Sequence, residues 1–100
     1  MAYRIALCDD QPQALSLLSA LAREWGKARG FALQLACFQG AEALLFQLSD
    51  ESYDILLLDI EMPGMDGVSL ARKVRREDGN VQIIFVTGYS DYIAQGYEVE

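Results

Sequence analysis

Four short apolar runs, at residues 3–8, 32–38, 55–58 and 81–86, are separated by three longer stretches in which apolar residues return every three or four positions. Short continuous runs predict strands buried on both faces, and the three-to-four period predicts helices with one apolar side. The first helical stretch opens with Pro12 in the first turn, points Leu15, Leu18, Ala22 and Trp25 at the sheet, and closes near Gly30. The second, "GAEALLFQLSDE", offers Leu44, Leu45 and Leu48 to the core. The third, "GVSLARKVRRED", offers Val68, Ala71 and Val74 and turns its charges to water. Strand and helix in the order βαβαβαβα predict an α/β fold: a doubly wound parallel sheet with right-handed crossovers, whose ligands collect at the carboxyl ends of the strands.

The whole chain, residues 1–100, reads as one domain: it contains no repeat, low-complexity stretch or linker, and its 52% hydrophobic content supplies a core. Eight Lys and Arg against fifteen Asp and Glu give a net charge of -7, which opposes a nucleic-acid surface. The basic cluster Arg72, Lys73, Arg75 and Arg76 reads as the solvated face of a helix. No stretch approaches the ~18 apolar residues of a membrane span, and no basic segment precedes an apolar signal core, so the protein is expected to be cytoplasmic. Cys8 and Cys37 sit inside apolar runs and read as small buried hydrophobes. The absence of histidine excludes imidazole acid-base chemistry, Ser-His triads and a self-phosphorylating histidine.

The residues able to carry chemistry stand directly after the strands: Asp9 and Asp10 after the first, Asp59 after the third, Thr87 and Gly88 after the fourth. In a flavodoxin-like strand order, 2-1-3-4, the first and third strands are neighbours, so Asp9, Asp10 and Asp59 lie within several ångströms of one another. Three carboxylates so placed repel, and without a nearby Lys or Arg the expected compensation is a hard divalent cation, best Mg²⁺. An aspartate held against Mg²⁺ on an open strand end can attack phosphorus and carry an aspartyl phosphate. The turn at Met62, Pro63 and Gly64 would leave Asp59 open to a donor and free the Glu61 carbonyl for the metal. An FMN-binding flavodoxin is excluded, because "DDQPQ" after the first strand would repel a phosphate.

These residues resemble the receiver domain of two-component response regulators, the CheY-like family. The resemblance runs through "IALCDDQP", "YDILLLDIEMPGMDGVSLARKVR" and "IIFVTGYSDY", and covers essentially the whole chain. It implies that Asp59 is the phosphoacceptor, Asp10 a direct Mg²⁺ ligand, Asp9 a second acidic residue acting largely through water, Glu61 a ligand through its carbonyl, and Thr87 the switch hydroxyl. It also implies a sensor histidine kinase as phosphodonor. The tail "FVTGYSDYIAQGYEVE" is similar to the LytTR-type subgroup, whose receivers usually precede a DNA-binding domain, so DNA would be reached only through a further effector domain. Gly88 would leave the acyl phosphate open to water, and Tyr89, Tyr92 and Tyr97 are candidates for a signalling face or for packing of the last helix.

One feature departs from the family. Receivers continue into a fifth strand ending in a lysine and a fifth helix, whereas the sequence ends at Glu100, and Lys27 and Lys73 are on helices. The expectation is a receiver truncated before the fifth strand, with impaired phosphorylation and with the fourth strand or last helix exposed to dimerisation or domain swapping. Two other readings compete: a receiver-like module acting by protein contact alone, and a haloacid-dehalogenase-like phosphohydrolase using Asp59 and Glu61. Slow loss of the phosphoryl group, rather than steady turnover, is expected of a receiver.

Overall fold

The computed structural model describes residues 2–86. The elements alternate as β1 (Ala2–Cys8), α1 (Pro12–Arg29), β2 (Ala32–Phe38), α2 (Ala41–Leu48), β3 (Ile55–Leu58), α3 (Gly67–Glu77) and β4 (Gln82–Phe85). All strand pairs are parallel, in the order β2-β1-β3-β4, with β1 against both β2 and β3. Thr87, Gly88, the three tyrosines and the last helix lie outside the described residues.

The two-residue period of the strands sorts their side chains onto two sides. Ala6, Cys8, Leu56 and Leu58 join Leu44, Leu70, Ala71 and Val74 under α2 and α3, while Ile5 and Leu7 join Leu15, Leu18, Leu33, Leu35, Ile55 and Leu57 under α1. Leu7, Leu44, Leu56, Leu58 and Leu70 are fully buried. Burial of each contributes about 1.5–3 kcal/mol, which makes β1 and β3 the centre of the fold.

Local chemistry sets the helix ends. Pro12 starts α1, where its missing N–H costs no helical bond, and Gly30 (φ 73°) ends it in the left-handed conformation that glycine adopts freely. The Asp66 carboxylate accepts the Ser69 N–H at 2.8 Å and caps α3. At the opposite end of the sheet, Arg4 bonds the Ser52 carbonyl and Glu51, lies over the Tyr53 ring, and ties β1 to the segment before β3.

Trp25, expected in the core or at its edge, lies at the edge: it is 39% exposed and packed edge-to-face on Phe31 with Arg29 over its ring. Two details go beyond or against the sequence reading. Ser19 and Gly26 take buried places on α1, because a close helix–sheet approach needs small residues there. A Cβ on Gly26 would fall 2.7 Å from the Leu33 side chain. Cys37 is exposed, because β2 is an edge strand with no strand beyond it among the described residues, and its sulfur meets Ser19 Oγ at 3.3 Å.

Candidate phosphoacceptor site

The parallel ladders continue past the strand ends. The Asp9 N–H donates to the Phe38 carbonyl (3.0 Å), the Asp59 N–H to the Cys8 carbonyl (2.9 Å) and the Val86 N–H to the Leu58 carbonyl (2.8 Å). Asp9 and Asp59 are thereby held side by side at the carboxyl edge, and Asp10 joins them as the chain turns into α1. One carboxylate oxygen from each of Asp9, Asp10 and Asp59 lies within 4.8 Å of the others. The sequence pattern anticipated this convergence.

The three carboxylates differ in their surroundings. Asp9 is buried, at 8% exposure, and accepts the Gln11 N–H at 2.9 Å, which turns the chain from β1 into α1. Asp59 is half-buried; burial first, then repulsion from Asp9 and Asp10, pushes its carboxyl up to about 6, against partial relief from the Glu61 and Ile60 N–H groups. Cys8, directly beneath, is pushed up to about 12 by burial and by the same carboxylates. Its thiol donates to the Met62 sulfur at 3.6 Å. That contact fixes the loop after Asp59 to the core.

Gly67, whose role the sequence reading did not isolate, sits against the backbone of Asp59. A Cβ there would lie 2.0 Å from the Asp59 carbonyl oxygen, and the Gly67 N–H donates to the Ile60 carbonyl at 2.8 Å. Only a residue without a side chain lets α3 begin so close to Asp59. Its signal in the sequence was the glycine directly after the Asp66 cap, a position where helices usually carry a better helix former.

The donor set fits Mg²⁺. Oxygen ligands about 2.0–2.1 Å from the ion span ~4.2 Å across an octahedron, so carboxylates within 4.8 Å need only a small closure. The cleft beside them, about 500 Å³, is lined by Asp10, Gln11, Asp59, Glu61 and Asp66 among others and holds no Lys or Arg among the described residues. A larger cavity, about 790 Å³, lies at the other end of the sheet between the last turns of α2 and α3, remote from the carboxylates.

The sequence profile of the response regulator receiver domain matches residues 5–100. The chain belongs to the receiver family. Among curated relatives, the transcriptional regulatory protein RprY of Bacteroides fragilis is 31% identical over 97% of this chain and 44% of its own length. The sensory transduction protein LytT of Oceanobacillus iheyensis is 34% identical over 62% of this chain and 26% of its own length. The chain thus spans less than half the length of either relative. Among solved structures, TrrA of Thermotoga maritima in complex with Mg²⁺ and BeF superposes with a TM-score of 0.75 at 33% identity, over 92% of this chain and 75% of that one. The same TrrA bound to the histidine kinase ThkA gives 0.72 at 33% identity, over 90% and 72%. Receiver domains are generally signalling modules rather than enzymes, and Asp59 follows the third strand, not the first that a haloacid-dehalogenase-like site requires. No helix among the described residues is long and apolar enough to cross a membrane.

Proposed function

We propose that this receiver accepts a phosphoryl group on Asp59 from the phosphohistidine of a sensor histidine kinase, with Mg²⁺ held by Asp10, Asp59 and the Glu61 carbonyl and with Asp9 acting through water. The observation that carries the reading is the convergence of three carboxylates within 4.8 Å at the switch point of a receiver-family sheet. The structures of TrrA with Mg²⁺ and BeF and with ThkA support the metal and the class of partner.

The chain's own residues account for the chemistry. At neutral pH the Asp59 carboxyl, even pushed up to about 6, is ionised and nucleophilic. Its oxygen attacks phosphorus, the P–N bond to the kinase imidazole breaks, and the bonding pair leaves on nitrogen. The bound cation would supply charge compensation for the transferring group and the carboxylates. Gly67 and the Met62–Cys8 contact hold the Asp59 backbone from behind, so the carboxylate presents itself without rearrangement of the loop. Thr87, which follows the fourth apolar run in sequence and lies outside the described residues, is the hydroxyl we assign to the phosphoryl-dependent switch, and hydrolysis of the acyl phosphate is slow.

The output is transcriptional and cytoplasmic in this reading, consistent with the name of RprY, and LytT supports the LytTR-type assignment. Self-association through the outer side of β4 is supported by Ile84, which is 49% exposed there. Titration with Mg²⁺ and beryllofluoride, monitored by amide NMR on the wild type and on Asp59→Asn, tests the site. Saturable shifts around Asp9, Asp10 and Asp59, with a beryllofluoride response lost in the variant, are expected. No response in the folded wild type would overturn the reading in favour of a module working by contact alone.

A further inference from the structure

The cavity of about 790 Å³ lies at the amino end of the sheet, where α2 and α3 both finish, away from the carboxylates of Asp9, Asp10 and Asp59. Small-molecule sites occupy roughly 300–1,000 Å³ and join an apolar lining to a few placed polar groups. This cavity has both. Its apolar lining comes from Leu45 and Leu48 on α2, Val74 on α3, and Tyr53 and Val81 just before β3 and β4. Its charges are unequal: Asp50, Glu51, Glu77 and Asp78 stand against Lys73 and Arg76. Two of the acids are already engaged, Glu51 with Arg4, and Asp78 by the Asn80 and Val81 N–H groups at 2.8 and 3.1 Å. Asp50 and Glu77 are exposed and make no side-chain hydrogen bond or ion pair among the described residues, and Lys73, one turn before Glu77, is not paired with it. The carboxyl end of a helix favours positive charge. Arg75 and Arg76 serve the last turn of α3, whereas α2 has no basic residue in its last turn and runs directly into Asp50. The α2 side of an apolar cavity is thus left with a negative pole.

We infer that this cavity binds a small organic cation with an apolar body, of the alkylamine or arylalkylamine class, its ammonium group placed by Asp50 and the carboxyl end of α2 and its hydrocarbon by Leu45, Leu48 and Val81. The inference does not depend on the phosphoacceptor reading, since none of these residues belongs to that site. The two parts of the guest are recognised by different forces. Burial of its hydrocarbon removes apolar surface of guest and cavity from water, and its charge is drawn to the unpaired carboxylate. A neutral molecule of the same shape keeps only the first. An anion of that shape meets Asp50 and the α2 terminus with the wrong sign.

The test uses the full chain in excess Mg²⁺, which competes with amines for the Asp9, Asp10 and Asp59 carboxylates. Phenylbutylamine, phenylbutanol and phenylbutyrate are titrated against amide NMR spectra of wild type, Asp50→Asn and Glu77→Gln, whose dispersion also reports that each variant is folded. With the amine, saturable shifts are expected at residues 48–53 and 77–82. The alcohol should bind roughly fourfold more weakly at low salt, from one unit charge about 5 Å away through water-like surroundings, and the carboxylate more weakly still. Asp50→Asn should bring the amine close to the alcohol while leaving the alcohol unchanged, Glu77→Gln should cost the amine less, and salt at about 0.5 M should shrink the gap between amine and alcohol. Equal affinity for amine and alcohol in wild type overturns the inference, because Lys73 or Arg76 then neutralises the pole from within. Tighter binding of phenylbutyrate overturns it, as does an amine preference that survives Asp50→Asn. Amine shifts confined to the surroundings of Asp9, Asp10 and Asp59, or no saturable shift at all, overturn it as well.

Discussion

Replacing Asp59 should stabilise the metal-free protein. Asp59 is held beside Asp9 and Asp10, and burial plus their repulsion pushes its carboxyl from an ordinary 3.8 up to about 6. Taken at full value, that displacement corresponds to ~3 kcal/mol of destabilisation when the group is ionised in the fold. Asp59 is only half-buried, so solvent screening brings the expected figure to about 1–2 kcal/mol. An asparagine keeps an oxygen to accept the Ile60 and Glu61 N–H groups while removing the charge. The sign comes from proton linkage: between pH 3.8 and about 6 the folded chain binds more protons at this site than the unfolded chain, so stability from Asp59 is full below 3.8 and lost as pH rises through about 6. Urea unfolding in EDTA at pH 7.5 should therefore place Asp59→Asn about 1–2 kcal/mol above wild type, and at pH 4.5 the advantage should fall by more than half. Added Mg²⁺ should stabilise wild type more than the variant, narrowing or reversing the order. A variant that equals or falls below wild type in EDTA at pH 7.5, or whose advantage is the same at both pH values, would refute the electrostatic account.

The same geometry sets other expectations. Gly67→Ala places a Cβ against the Asp59 carbonyl, which is backbone and cannot swing away; urea unfolding should show a loss of about 1–3 kcal/mol, and a loss under about 0.5 kcal/mol would mean that α3 starts elsewhere. With a thiol reagent at pH 8, exposed Cys37 should react in the native protein and Cys8, 1% exposed and pushed up to about 12, only after unfolding; two fast thiols in the folded state would contradict the buried placement of Cys8. Light scattering across a range of loadings should give a mass that grows with concentration if copies associate through β4, and Ile84→Lys should lower it. A constant monomer mass removes that interface.

The strand and helix order was legible because each element carries its own periodicity: the expected run at residues 32–38 and the observed β2 coincide, Pro12 and Gly30 bound α1, and the acidic residues after the first and third strands meet as the 2-1-3-4 order requires. Ser19 and Gly26 were not legible as sheet-facing residues, since hydrophobicity does not report how closely a helix approaches. Cys37 looked buried because an apolar run does not reveal that its strand is at the edge.

Composition and spacing by themselves determined an α/β chain whose carboxylates gather where β1 and β3 end, because periodicity and strand-end chemistry are local properties that survive without coordinates. Tertiary structure alone decided how far Asp59 is pushed from its ordinary ionisation, how Met62 is tied to Cys8, and why residue 67 has no side chain. Each of those depends on atoms distant in sequence brought within a few ångströms, where desolvation, Coulomb repulsion and steric exclusion become large enough to act.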